Sequence, residues 1–145
     1  MNSKKFKEIF DKVAKANEFS KAFGGWIKES PECIVVLELQ KSNFGDYYIL
    51  NIKVFIRGVF GREYILNKDL VKSSMGHITN QIREKDFLNF DTSMDEVKRY
   101  EKLEEFFIDV ITPFTNRVLS KAGIKELAEH DKIFLLPTII KELGW

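Results

Sequence analysis

Seven polar side chains in the first two thirds of the chain have the chemistry to recognise a charged or polar ligand. They are Gln40, Lys41, Ser42, Asn51, Lys53, His77 and Arg83. Amide, ammonium, hydroxyl and guanidinium groups gathered on one surface suit a carboxylate, a phosphate or a polar protein segment. The plainer interpretation is that the amides of Gln40 and Asn51 satisfy turn and edge backbone groups. Lys53 and Arg83 would then be solvated. Polar outer faces are normal for antiparallel sheets, which favours the plainer interpretation.

His77 is the one side chain of this set that could act as a general acid or base, because imidazole titrates near neutral pH. An enzyme built on it would use Lys41 and Arg83 to anchor a small anionic substrate. Ser73 and Ser74 lie nearby in sequence, but they lack the glycine spacing of a nucleophile elbow. A structural, hydrogen-bonding histidine is therefore the favoured interpretation.

Metal, nucleophile and cofactor chemistry have weaker signals. Glu32, Glu38 and Lys41 resemble the acidic strand pairs of metal-dependent nucleases, but Gln40 occupies the position where those sites carry a lysine. Cys33 is the only cysteine, so no internal disulfide can form, and its place in an alternating run predicts a buried, inert thiol. We predict no metal site and no cofactor.

Phe44 is an aromatic residue at the tip of a polar loop, where nothing local requires its burial. An exposed ring at a loop tip is a candidate anchor for a protein interface. The alternative is that the ring folds back onto Tyr47 or the sheet. Both interpretations remain open from the sequence.

Two runs rich in β-branched and aromatic residues predict a β-hairpin that would position most of these side chains. The runs span residues 33–40 and 47–56 and flank the loop 41–46. Pairing Gln40 with Tyr47 makes every pair on one face apolar, so this face should pack on the core. Those pairs are Leu39 with Tyr48, Leu37 with Leu50, Val35 with Ile52 and Cys33 with Val54. The other face is mixed, with Gln40, Glu38, Asn51 and Lys53 among apolar residues.

The remaining elements are predicted from periodicity and turn residues. An amphipathic helix is expected over about 3–19, followed by short strands at 26–28 and 62–66. Residues 76–83 alternate as a further strand, with His77, Thr79, Gln81 and Arg83 on one face and Ile78 and Ile82 on the other.

The last third of the chain is predicted to be helical. Ser93 and Glu96 have the spacing of a capping box, Pro113 should kink or break the helix that follows, and Gly123 should end it. Two short helices, near 124–130 and 137–143, would close the chain.

Length and charge limit the possible classes of function. The 145 residues fit one domain, 1–145, without repeat or linker. Lys and Arg number 23 against 22 Asp and Glu, and this balance makes nucleic-acid binding an unfavoured alternative. No apolar run reaches the length of a membrane span, so we expect no membrane association and a cytoplasmic location.

The hairpin also carries a resemblance to a known family. Leu39-Gln40-Lys41-Ser42, Gly45, Tyr47-Tyr48 and Asn51, at these spacings, resemble the signature of a small bacterial family, the domain of unknown function 4304. Gly76-His77-Ile78 and the proline-containing segment 110–114 resemble later parts of its pattern. The chain departs from that pattern at 22–25 and at Leu50. The resemblance implies an α+β fold and transfers no activity.

We therefore expect an α+β domain with an N-terminal helix, an antiparallel sheet of about four to five strands, and C-terminal helices packed on one face. The leading functional hypothesis is a non-catalytic binding module that uses the mixed sheet face and the loop 41–46 to hold a protein or small polar ligand. A toxin-neutralising (immunity-type) protein is a specific form of it, by analogy of size and fold. Whether the mixed face is open or covered by the C-terminal helices decides between binding and scaffold roles.

Overall fold

A computed structural model describes all residues 1–145 and has an antiparallel sheet at its centre. The strands are β1 (Ser20–Ala22), β2 (Gly25–Glu29), β3 (Cys33–Lys41), β4 (Tyr48–Ile56) and β5 (Ile78–Ile82). They lie in the order β1-β2-β3-β4-β5, and each strand pairs antiparallel with the next along the chain. The sheet is therefore a simple meander with β1 and β5 as its edges.

Six α-helices complete the architecture. They are α1 (Ser3–Ala16), α2 (Lys68–Lys72), α3 (Glu96–Phe106), α4 (Thr112–Arg117), α5 (Lys121–Glu129) and α6 (Pro137–Leu143). A π-helical turn, Phe107–Ile111, joins α3 to α4. The predicted α+β class, N-terminal helix, antiparallel sheet and C-terminal helices are confirmed. None of the helices combines the length and apolar character needed to cross a lipid bilayer.

The β3–β4 hairpin is confirmed, but its register differs from the prediction by two residues. Leu39 lies opposite Leu50, and the ladder closes with Lys41 opposite Tyr48. The Ser42 N–H then donates to the Tyr47 carbonyl at 3.0 Å, which shortens the loop that the sequence suggested. A slip of two keeps every side chain on its predicted face, because side chains alternate with a period of two.

The inner face of the sheet forms the main core with α1 and the helices after β5. Phe10 of α1 contacts the Trp26 ring with centroids 4.6 Å apart and the Phe107 ring at 5.4 Å. Phe6 stacks on Tyr48 at 5.2 Å, and all five of these rings are at most 2 % exposed. Bulky aromatic residues thus hold α1 against the sheet, as the apolar stripe of the first helix indicates.

The segment between β4 and β5 covers part of the outer face. Val71 of α2 is fully buried in a second, smaller cluster with Ile27, Ile34, Val36 and Phe55. Gly25 of β2 permits this approach, since a Cβ there would lie 2.9 Å from the Val71 side chain. The cover of the mixed face is therefore α2 with its flanking loops and not the C-terminal helices.

Two of the predictions for the first half of the chain, a strand and a helix end, are wrong. Residues 62–66 form no strand, because they run over the outer face with no neighbouring strand to pair with, and Leu66 packs on the second cluster instead. The first helix ends at Ala16 and not near Phe19, since Glu18 adopts a left-handed conformation with φ 69°. The predicted strand at 26–28 lies within β2.

Two of the predicted helix signals in the C-terminal third are also wrong. The cap of α3 is Asp95, whose carboxylate accepts from the Lys98 N–H at 2.8 Å, and not Ser93. Gly123 lies inside α5, where its N–H donates to the Ser120 cap at 3.0 Å. Helical backbone angles continue from Ile111 through Thr112, so the π-helical turn before Pro113 accommodates the proline without ending the helix.

Gly123 generates the first prediction. A Cβ at this position would lie 2.0 Å from the Arg117 carbonyl oxygen, a contact that forces α4 and α5 apart. Alanine normally stabilises a helix interior relative to glycine, but Gly123→Ala should lower the free energy of unfolding by about 2–3 kcal/mol. Urea denaturation measures this change. Ala122→Gly in the same helix is the matched control, with an ordinary propensity cost of about 1 kcal/mol; a stabilised Gly123→Ala would contradict the packing described.

Candidate binding surface

A row of hydrogen-bonded polar side chains crosses the open half of the outer face. Arg83 Nη2 donates to Gln81 Oε1 at 2.8 Å, Gln81 Nε2 donates to Asn51 Oδ1 at 2.9 Å, and Asn51 Nδ2 donates to Gln40 Oε1 at 3.0 Å. The register explains the row, since Asn51 lies directly opposite Gln81 and two residues from Ile49, which faces Gln40, so that Asn51 and Gln40 are diagonal neighbours on one face. We call Gln40, Asn51, Gln81 and Arg83 the polar row.

The polar row is ordered in the middle and has free donors at both ends. Asn51 is 6 % exposed and has both ends of its amide occupied, so its orientation is set. The Gln40 amide N–H groups have no partner in the chain, and the Arg83 guanidinium makes only one bond. Both end residues are exposed. Because hydrogen bonds within the row already orient these donors, ordering them on binding a partner would cost little conformational entropy.

Lys53, predicted as a binding residue, lies in the interior. Its side chain is 1 % exposed, and Nζ donates to Glu38 Oε1 at 3.0 Å, to the Val71 carbonyl at 2.5 Å and to the Ser73 carbonyl at 2.8 Å. An ammonium group has three donors, and all three are used. Lys53 therefore anchors α2 to the sheet and is not available to a ligand.

His77 is also held by backbone and side-chain partners. Nδ1 accepts from the Ile56 N–H at 2.8 Å, which places the ring proton on Nε2, 3.0 Å from the Tyr64 hydroxyl. The Tyr64 hydroxyl donates in turn to the Val59 carbonyl at 3.1 Å. Burial lowers the pKa of His77 from its ordinary value of 6.5, because desolvation disfavours the imidazolium. Protonating Nδ1 would also remove the acceptor of the Ile56 N–H.

The predicted residues divide into separate groups. His77 lies just before β5 and Arg83 just after it, six positions apart along the chain, or about 20 Å in extended strand. A substrate anchored by Arg83 therefore does not reach the imidazole, and both imidazole nitrogens already have partners. This geometry does not support the enzymatic alternative.

The hairpin tip positions Phe44 in solvent. Its side chain is 95 % exposed, so it does not fold back onto Tyr47 or the sheet. Ser42, only 6 % exposed, accepts the Phe44 N–H through Oγ at 3.0 Å and thereby fixes the loop. Lys41 and Asp46 form an exposed ion pair at 3.7 Å across its base. Exposed Phe44 and Lys41 thus lie at the hairpin end of the sheet, the end that also carries Gln40 and Arg83.

Two residues that contribute to this face were not among the predicted site residues. Gln81 is the central link of the polar row, and Glu38 is the carboxylate that balances Lys53, with Lys72 also 3.7 Å away. Gln81 shares the alternation of His77 and Arg83, and that spacing was the available signal. The role of Glu38 as the partner of Lys53 follows only from the observed hairpin register, in which Glu38 lies opposite Asn51 and diagonal to Lys53.

Cys33 is fully buried on the inner face, where the alternation places it. Burial raises the pKa of its thiol to about 12, with the Glu32 carboxylate adding to the effect. The thiolate required for nucleophilic or metal-binding chemistry is therefore disfavoured.

The anchoring role of Lys53 yields a prediction. Lys53→Met leaves Glu38 with only the more distant, half-exposed Lys72 as a cationic neighbour and leaves two carbonyls without a donor. The free energy of unfolding should therefore fall by about 3 kcal/mol. Lys72→Met is the matched control, since this half-exposed lysine approaches the same carboxylate and its loss should cost less than about 0.5 kcal/mol. Urea denaturation of both variants makes the comparison; equal effects would show that Lys53 is not the anchor.

The lowered pKa of His77 yields a further prediction. Because the unfolded chain binds a proton more readily than the folded one, the contribution of His77 is complete above pH 6.5 and is lost as the pH falls through its folded value. As the pH falls from 7.5 to 5.5, roughly one unit either side of the ordinary pKa of histidine, the free energy of unfolding should decrease more steeply in the native chain than in His77→Asn. The asparagine keeps an acceptor for the Ile56 N–H. In an NMR titration, with His130→Asn used for assignment, a His77 midpoint at or above 6.5 would contradict this.

Comparison with known proteins identifies the family of the chain. No curated protein and no solved structure matches it. The model of one family matches residues 10–117, from the middle of α1 to the end of α4, and this range includes the hairpin, the polar row and His77. The description of that family is "Domain of unknown function (DUF4304)", and the chain belongs to it.

Proposed function

We propose that this chain is a non-catalytic protein-binding module that contacts its partner with the polar row and the tip of the β3–β4 hairpin. The observation that carries the proposal is Phe44, whose ring is 95 % exposed on a loop held by side-chain and backbone hydrogen bonds. An aromatic ring already displayed in solvent buries a large apolar area on association at little conformational cost.

The polar row supplies the complementary part of this surface. Gln40 and Arg83 have unused donors and lie at the same end of the sheet as Phe44. Donors of this kind suit backbone carbonyls and the carboxylates of a protein surface. An apolar anchor flanked by oriented polar groups is the usual composition of a protein interface.

The shape of the surface favours a protein over a small polar ligand. The five principal grooves of the molecule have volumes of about 280–440 Å³, and none is lined by Phe44 or by any member of the polar row. A small ligand needs a concave site that removes most of its surface from water. The near-neutral charge of the chain, +1, also disfavours nucleic acid as the partner.

Substitution of Phe44 tests the proposal directly. The full-length chain is immobilised, exposed to a lysate of the source cells, and the retained proteins are quantified by mass spectrometry. Phe44→Ser and Arg83→Ala should each reduce recovery of a specific partner by about tenfold or more, as expected for interface anchors. Ile108→Ser is the matched control, because it removes another exposed apolar side chain, 58 % accessible, from the helical layer.

The pattern of loss decides the outcome. A protein retained by the native chain and by Ile108→Ser, but lost with Phe44→Ser, supports the surface. Identical sets of proteins at equal levels on all variants would overturn it. In the toxin-neutralising form of the proposal, the retained protein is an enzyme whose activity falls when the complex forms.

A further inference from the structure

β5 is an edge strand whose outward backbone groups have no partner. It pairs with β4 on one side, and no strand lies on the other. No backbone hydrogen bond outside the β4 ladder involves residues 78–83, and no side chain bonds to their backbone atoms. Exposed edges of this kind are templates for pairing with another chain.

The neighbouring contacts identify which residues turn their backbone outward. The Val54 carbonyl accepts from the His77 N–H, and the Ile56 N–H reaches His77 Nδ1, so the even-numbered residues of β4 point towards β5. In the register of this pair, Ile78, Asn80 and Ile82 are then the residues bonded to β4. Thr79 and Gln81 direct their N–H and C=O groups to the free side.

The two edges of the sheet are protected unequally. β1 has three residues and carries Lys21, a charge that opposes pairing with another strand. β5 has five residues, Ile-Thr-Asn-Gln-Ile, with no charge, no proline and no glycine. β5 therefore lacks the charge that protects β1.

We infer that β5 pairs antiparallel with β5 of a second copy of this chain, with Asn80 facing Asn80 across a two-fold axis. The sequence of the strand is nearly palindromic, so this register brings Ile78 opposite Ile82 and Thr79 opposite Gln81 of the second copy. Thr79 and Gln81 are the outward residues, and each therefore exchanges backbone bonds with its counterpart. No like charges face each other across the pair, and Arg83 meets the position of His77.

An apolar groove beside β5 adds buried area to this contact. It has a volume of about 300 Å³. Residues 75–80 form one wall, and residues from the segment 132–136 form the other. Met75, Phe134 and Leu136 on its walls are 60 %, 76 % and 45 % exposed. The two-fold axis brings the half-buried Ile82 of the second copy towards this groove, and the two grooves lie at opposite ends of the paired strands.

The inference does not rest on the proposed function, and charge substitution at the axis tests it. Asn80 is exposed, so Asn80→Lys and Asn80→Asp should both fold as the native chain does. Each places like charges directly opposite and should raise the dimer dissociation constant at least tenfold, while an equimolar mixture of the two should recover a dimer. Sedimentation velocity over a wide concentration range measures all three samples, with circular dichroism as the check on folding.

A backbone substitution provides an independent test. Gln81→Pro removes an outward N–H and should abolish the dimer, whereas Gln81→Ala keeps that N–H and should retain it. A native chain that sediments as a monomer at every concentration would overturn the inference. A dimer that is insensitive to Asn80→Lys and Gln81→Pro, or a mixture that fails to recover association, would place the interface elsewhere and overturn it as well.

Discussion

The buried ammonium of Lys53 is the constraint on which the outer half of the molecule depends. Removing such a charge from water costs several kcal/mol unless every donor finds an acceptor. Two of its three acceptors are the carbonyls of Val71 and Ser73, at the end of α2 and just beyond it, and the third is Glu38. The segment between β4 and β5 must therefore lie against the sheet, and the absence of a side chain at Gly25 lets it approach.

The same contact divides the outer face into two parts with different roles. Beneath α2 the face is apolar and closed, with Ile34, Val36 and Phe55 in the second cluster. Beyond Lys53 the strands continue without cover, and the polar row satisfies the middle amide, Asn51, from within the sheet. The mixed pattern of apolar and polar residues on this face thus reflects two environments. The apolar residues lie under α2, and the residues of the polar row lie on the uncovered part of the same face.

The alternation of residues was enough to predict which side chains share a face, including Cys33 inside and Gln40 and Asn51 outside. It could not predict the cover, because a period of two describes a strand and contains no information about a distant segment such as α2. Both interpretations of Lys53 from the sequence, a ligand-binding residue and a solvated one, place it at the surface, although it is buried. The predicted hairpin register was wrong by two residues because the apolar pairs are equally good in both registers. The backbone bonds Ser42–Tyr47 and Arg57–Glu32, one at each end of the hairpin, belong only to the observed register. The N-cap of α3 is Asp95, whereas the sequence predicted Ser93. Both residue types can cap a helix, so the sequence alone does not show which of the two is the cap.

The meander order places β5, the polar row and the tip of the β3–β4 hairpin next to one another on the sheet. The helical layer buries the inner face, and the other edge strand, β1, is short and carries a charge. The free backbone groups of β5, the free donors of the polar row and the exposed ring at the hairpin tip therefore remain accessible. A two-fold axis at Asn80, perpendicular to the sheet, would keep both outer faces on the same side and join the two polar rows through β5. Because the paired strands run antiparallel, the two Phe44 loops would then point in opposite directions. Such a pair would offer two separated anchors on one continuous sheet, and a partner with two matching sites would gain effective concentration without any new contact.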